Sequence, residues 1–190
     1  MLSGWWRMNE QENFAAHKLM IVGGKVHLVR TLRLVLGIVG VRQIQAVADP
    51  AAAVDLLRAQ LFTAVLCDES AAGSGAHAFG FAARRTAGLL NPMIPIFLIS
   101  GGPRRRDVEA ARDLGYTDVI TRPVSAATFM RKFNLALKYP RPFIASADFF
   151  GPDRRAPSRG DFCGQDRRTR KARQVKVAAP MASDPDQVLI

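Results

Sequence analysis

Five short apolar runs alternate with longer amphipathic stretches between residues 18 and 138, and this alternation restricts the fold more than any other feature. The runs have the length of buried strands, whereas the stretches between them repeat apolar residues at the three- and four-residue spacing of helices. Strands that alternate with helices predict a single α/β domain built on a doubly wound parallel sheet. We expect strands at 18–22, 42–47, 63–67, 96–99 and 118–120, and helices at about 26–36, 51–60, 76–86, 104–114 and after Ser125.

The chain is basic, with 27 Lys and Arg against 16 Asp and Glu and a net charge of +11. This balance favours acidic partners without choosing among nucleic acid, anionic lipid and acidic protein surfaces. No apolar run approaches the roughly 20 residues that a membrane helix needs. Residues 1–17 do not resemble a signal peptide, so we expect a cytoplasmic protein. Cys67 and Cys163 indicate neither a disulfide framework nor a metal cluster, and Cys67 is predicted to be a small buried apolar residue.

The two ends of the chain differ in composition from the predicted domain at 18–138. Residues 1–17 are predicted to be a flexible segment, although Trp5 and Trp6 could serve an interaction. Residues 139–190 are rich in Pro, Gly and Arg, and such a tail is expected to be largely unstructured because it cannot bury enough apolar surface. Its arginines leave non-specific polyanion binding open. Specific DNA binding is not expected, since no helix-turn-helix pattern, zinc spacing or stacking aromatic set accompanies them.

Polar side chains stand at the ends of three successive predicted strands. Asp68 ends the third strand, Ser100 ends the fourth, and Arg122 follows the fifth, just before Pro123. The carboxyl ends of parallel strands share one edge of the sheet, which is where such sheets place their ligands. We therefore expect an acid, a hydroxyl and a cation to meet in one crevice. The first strand contributes no such group, because it runs into Gly23 and Gly24.

These strand ends and their spacing resemble the receiver domain of bacterial two-component response regulators. The resemblance covers 18–138 and is most specific at 115–123. It implies a flavodoxin-like sheet in the strand order 2-1-3-4-5 and a signalling role rather than an enzymatic one. Asp68 would accept a phosphoryl group from a histidine kinase or phosphotransfer protein, and Ser100 and Arg122 would contact that group. A downstream partner would bind the face made by the fourth helix, fifth strand and fifth helix.

The sequence also departs from the family at three places. Gly23 and Gly24 stand where the family has two acids that hold Mg²⁺ together with the acceptor aspartate. Because Mg²⁺ needs carboxylate oxygens, a site with only Asp68 and Glu69 would bind it weakly. Arg122 replaces a lysine and could pair permanently with Asp68. Val119 stands where the family usually has an aromatic residue that changes rotamer on activation.

Three hypotheses remain open from the sequence. The first is a phosphorelay receiver that is phosphorylated on Asp68. The second is a pseudo-receiver that works by docking without phosphorylation, which the loss of the metal-holding acids favours because phosphoryl transfer depends on charge neutralisation by the metal. The third, from a different class, is a polyanion binder that acts through the basic tail.

Overall fold

The computed structural model describes residues 14–71, 75–146, 149–153 and 173–175. Trp5, Trp6, Cys163 and the arginine runs at 154–155 and 167–171 lie outside the described residues. Among the described residues, no helix combines the length and the apolar character that crossing a bilayer requires.

The central element is the expected parallel sheet of five strands. Its order is β2-β1-β3-β4-β5, which confirms the predicted topology. The inner strands β3 and β4 are buried along their whole length, as expected for strands that are covered on both faces. The strands are β1 (Lys18–Val22), β2 (Gln43–Val47), β3 (Ala64–Asp68), β4 (Ile96–Ser100) and β5 (Asp118–Thr121).

Five helices cover the two faces of the sheet and form two apolar layers. One layer joins the first and fifth helices to the sheet, and the other joins the remaining three helices to the opposite face. Phe14, in a short 3-10 helix at Phe14–Ala16 just before β1, packs into the first layer. The helices are α1 (Val26–Val39), α2 (Pro50–Ala59), α3 (Gly75–Arg85), α4 (Arg105–Asp113) and α5 (Ala126–Lys138).

Helix α1 is longer than the sequence predicts. It continues through Gly37 and ends at Gly40, whose φ of 101° only glycine adopts readily. The amide of Gly40 donates to the carbonyl of Gly37, and the amide of Val41 donates to that of Leu36. These two bonds satisfy the last carbonyls of the helix.

The described part of the C-terminal segment forms a second, antiparallel sheet. Its strands are β6 (Phe143–Ala145), β7 (Phe150–Pro152) and β8 (Arg173–Val175), in the order β7-β6-β8. Only these short strands and the residues joining the first two are described after α5, and the sequence did not predict them. The rest of the predicted tail lies outside the described residues.

The second sheet packs against the domain through Phe143 and a buried arginine. Phe143 is only 3% exposed, and its ring lies 5.1 Å from the guanidinium carbon of Arg84. Arg84 donates hydrogen bonds to the carbonyls of Pro92, Ile94 and Gly115 at 2.6–2.9 Å. The buried cation is therefore held by the two loops that precede β4 and β5, and the C-terminal segment covers it.

Candidate functional site

Asp68 lies at the carboxyl end of β3 and is almost fully buried, with 1% of its surface exposed. The hydroxyl of Ser70 donates to its Oδ2 at 2.5 Å. Its Oδ1 has no hydrogen-bond partner, and the nearest cation is Nη1 of Arg122 at 3.9 Å. The expected ion pair between Asp68 and Arg122 is thus present, but it includes no hydrogen bond.

The backbone brings the neighbouring strand ends to the same place. The amide of Glu69 donates to the carbonyl of Ile99 at 3.0 Å, which extends the pairing of β3 with β4 by one residue. The amide of Arg122 donates to the carbonyl of Ser100 at 2.8 Å, which does the same for β4 and β5. The predicted meeting of an acid, a hydroxyl and a cation at one edge is therefore set by the sheet itself.

Glu69, which the sequence suggested only as a weak metal ligand, accepts the strongest contacts in the crevice. Its Oε1 receives a hydrogen bond from Nη2 of Arg122 at 2.6 Å and another from the amide of Gly101 at 2.6 Å. Gly101 permits this approach, because a Cβ at that position would lie 2.9 Å from Nη2 of Arg122 and 3.2 Å from the Glu69 oxygen. The guanidinium therefore forms its hydrogen bond with Glu69 and not with Asp68.

The surroundings of Glu69 favour its ionised form. Partial burial acts to raise the pKa of the carboxyl group, but hydrogen bonds from Ser100, Gly101 and Arg122 outweigh burial and hold the pKa below its ordinary value. The crevice thus contains a stable carboxylate that is paired with the cation.

Gly23 and Gly24 end β1 beside this crevice in left-handed conformations, with φ of 69° and 88°. A Cβ on Gly23 would lie 2.3 Å from the Cβ and 2.9 Å from the Cα of Ala71, in the segment that follows Asp68. A Cβ on Gly24 would meet nothing closer than 3.5 Å. The backbone after β3 therefore occupies the space that a side chain at position 23 would need.

The residues at this edge do not fit Mg²⁺. Both glycines lack an oxygen ligand in their side chains, and the carboxylate of Glu69 is already bonded to Arg122 and to a backbone amide. That leaves Asp68, whereas Mg²⁺ sites in proteins usually combine carboxylates with other oxygen ligands. Over the described ranges, no three His, Cys, Asp or Glu side chains are grouped in a way that could hold a metal ion.

Burial explains two other residues near the site. Cys67, next to Asp68, is fully buried, and burial raises the pKa of its thiol to about 12, so it is the small apolar core residue that the sequence predicts. Val119, at the position where the receiver family usually has its mobile aromatic residue, is buried in the layer that packs on α2, α3 and α4.

The start of helix α4 presents an exposed basic surface. Arg104, Arg105 and Arg106 are all solvent-exposed, and positive charge at this end opposes the helix dipole. Arg105 pairs with Glu109 at 2.9 Å, and Asp107 accepts the amide of Arg104. This is one edge of the face where the resemblance expects a partner.

Comparison with known proteins identifies the fold. Similar solved structures include a receiver domain of a sensor histidine kinase from Pseudomonas aeruginosa with a magnesium ion in its active-site cleft, at 20% identity and a TM-score of 0.54, covering 62% of this chain and 94% of that one. A signal receiver domain of a histidine kinase from Syntrophus aciditrophicus is 20% identical, with a TM-score of 0.55 and coverage of 64% and 90%. A chemotaxis response regulator from Vibrio cholerae is 16% identical, with a TM-score of 0.56 and coverage of 64% and 98%.

The protein therefore has the fold of a response-regulator receiver domain, as the sequence predicts. No protein-family model matches the sequence, and neither does any curated protein.

Proposed function

We propose that this protein is a receiver-like signalling module that acts by docking a partner protein, without phosphorylation of Asp68. The observation that carries the proposal is the packing of Gly23 against Ala71, because it leaves no room for a metal-holding acid at that position. The acid is not merely absent from the sequence; the backbone after β3 has closed over the space that its side chain would occupy.

The chemistry of phosphoryl transfer supports this proposal. The transferred group carries negative charge that a metal ion normally neutralises, and catalysis depends mainly on that electrostatic stabilisation. In this crevice the one nearby cation, Arg122, is already hydrogen-bonded to Glu69. An incoming phosphoryl group would have to compete with that carboxylate and would meet a second negative charge on Asp68.

The charges on helix α4 favour an acidic protein surface as the partner. Arg104, Arg105 and Arg106 are exposed on consecutive positions, and Glu109 and Asp107 offset only part of their charge. Complementary charge speeds encounter and selects among partners. The docking face would thus be the start of α4 with the neighbouring β5 and α5, and no catalytic step by the protein itself is part of the proposal.

The test is a phosphorylation assay under forcing conditions. The full chain is incubated with excess acetyl phosphate and Mg²⁺, and its intact mass is measured beside that of an Asp68→Ala variant. We expect neither protein to gain a phosphoryl group. A base-labile gain of mass in the unmodified chain that is lost in Asp68→Ala would refute the proposal.

The same assay decides for the second candidate, a phosphorelay receiver that takes its phosphoryl group from a histidine kinase or phosphotransfer protein. The observation in its favour is Oδ1 of Asp68, a carboxylate oxygen without a hydrogen bond at the position of the family's acceptor. Phosphorylation on Asp68 would support this candidate and would show that the crevice opens to a donor.

A further inference from the structure

Three donors at the ends of β4 and β5 surround one side of the Glu69 carboxylate. The amide of Gly101 and Nη2 of Arg122 both bond its Oε1 at 2.6 Å. The hydroxyl of Ser100 also contributes a hydrogen bond to this carboxyl group. A backbone amide, a hydroxyl and a guanidinium that point at one oxygen form an oxyanion site, whichever anion occupies it.

We propose that Glu69 is the built-in occupant of an oxyanion site and holds Ser100 and Arg122 in the positions that a bound phosphoryl group would otherwise give them. The inference rests on the proposed function and deepens it, because a module that is never phosphorylated still needs its strand ends fixed in one arrangement. When the Glu69 carboxylate is removed, the same donors bind a small inorganic oxyanion such as sulfate or phosphate.

The backbone fixes the occupant and its donors relative to one another. Glu69 is tied to β4 through the carbonyl of Ile99, and Arg122 is tied to it through the carbonyl of Ser100. The site is therefore arranged by the sheet and does not depend on chance contact between two long side chains. Ordinary surface ion pairs lack such support and contribute little.

Gly101 gives independent support to this assignment. A Cβ at residue 101 would come within 2.9 Å of the Arg122 guanidinium, so the close approach of cation, amide and carboxylate requires glycine there. The listed atom is the end of a flexible side chain, so Gly101→Ala should displace Arg122 without unfolding the strand end.

A carboxylate can fill such a site although it differs from a phosphoryl group. It carries one negative charge instead of about −1.5 to −2, and it offers two acceptor oxygens instead of three. In this crevice a single oxygen already accepts both 2.6 Å bonds. The smaller charge suits a site that contains one cation and no metal ligand set.

The test is anion titration of the full chain followed by NMR of the Gly101 amide, with sodium sulfate as the probe and sodium chloride at equal ionic strength as the reference. The unmodified chain should show no saturable shift. Glu69→Ala should show a saturable shift with a Kd at least about tenfold lower than any sulfate affinity of the unmodified chain, which corresponds to about 1.4 kcal/mol. Glu69→Ala combined with Arg122→Gln should lose this binding.

The matched control is Glu109→Ala. It removes an exposed glutamate that also pairs with an arginine, Arg105, at 2.9 Å, so it changes the net charge of the chain by the same amount. Sulfate should leave the Gly101 amide unaffected in this variant. An equal response in Glu69→Ala and Glu109→Ala, or no response in Glu69→Ala while its spectrum stays folded, overturns the inference.

The outcome is separate from that of the phosphorylation assay. If Asp68 is phosphorylated while Glu69→Ala gains sulfate binding, the proposed function fails and the oxyanion site stands. If Asp68 stays unmodified while Glu69→Ala binds no sulfate, the docking function stands and the role of Glu69 is refuted.

Discussion

Gly23 allows the packing argument to be tested as a difference between two neighbouring glycines. Gly23→Ala places a methyl group 2.3 Å from the Cβ and 2.9 Å from the Cα of Ala71, whereas carbon atoms in good contact lie about 3.5–4.0 Å apart. Overpacking of this kind destabilises by about 1–3 kcal/mol. The left-handed φ of 69° adds about 1–2 kcal/mol for a residue with a Cβ, so the total is about 2–5 kcal/mol.

Gly24→Ala is the matched control. It carries the same kind of backbone strain at φ of 88°, but its methyl group would meet nothing closer than 3.5 Å. Only the strain of about 1–2 kcal/mol is expected there. The two variants should therefore differ in free energy of unfolding by the overpacking alone, about 1–3 kcal/mol.

Urea denaturation measures this difference, since a slope of about 1–3 kcal/mol/M converts it to a separation of roughly 1 M between the two midpoints. Ala71→Gly, which removes the nearer of the two contacts, should make the effect of Gly23→Ala smaller than it is in the presence of Ala71. Gly23→Ala unfolding at the same urea concentration as Gly24→Ala, or at a higher one, would refute the claim that position 23 is closed. For the same reason, aspartates at positions 23 and 24 should not restore Mg²⁺ binding.

Three further predictions concern other parts of the molecule. Phe143→Ala should lower the free energy of unfolding by about 3–5 kcal/mol, whereas Tyr139→Ala, at a residue that is 73% exposed, should change it by less than about 0.5 kcal/mol; equal effects in thermal unfolding would contradict docking of the C-terminal segment. Cys67 should resist iodoacetamide in the folded protein, because burial raises the pKa of its thiol to about 12, and rapid labelling in peptide mass spectra would contradict this. The lowered pKa of Glu69 means that its stabilising contribution is present above the ordinary pKa of a glutamate and is lost as the pH falls through the lowered value. Glu69→Gln should therefore lose less stability in acid, and urea midpoints with the same pH dependence in both proteins would contradict the pairing.

The sequence predicts the sheet well because each strand is a short apolar run between clear helix signals. Asp49 accepts the amides of Ala51 and Ala52 at the start of α2, and Ser125 accepts the amide of Thr128 at the start of α5, so both predicted caps are confirmed. Gly37 misled the prediction of where α1 ends. It is exposed and meets no other group, and a helix tolerates such a glycine at a cost of about 1 kcal/mol when its other face is buried.

The site was less predictable because its key contact joins residues that are far apart in the chain. The positions of Asp68, Ser100 and Arg122 at strand ends could be inferred from the apolar runs. The hydrogen bond from Arg122 to Glu69 could not, since it depends on one side chain reaching past the nearer acid to an oxygen that also accepts the amide of Gly101. No pattern in the sequence distinguishes that choice from pairing with Asp68.

The C-terminal segment escaped prediction for a different reason. Its short strands carry too few apolar residues to stand out among Pro, Gly and Arg, and they become ordered by covering the domain. The one available signal was Arg84, which falls next to the apolar residues Phe79 and Ala83 of α3 and needs buried partners once the helix packs.

The contact of Phe143 with Arg84 has a practical consequence for anyone who trims this protein to its receiver-like part. The resemblance ends at residue 138, and a piece cut there would leave the guanidinium of Arg84 facing water on one side at the foot of the sheet. A fragment ending at Asp153 keeps the aromatic lid and the paired strands β6 and β7. The functional boundary of the folded unit therefore lies well beyond the point where likeness to other receivers stops.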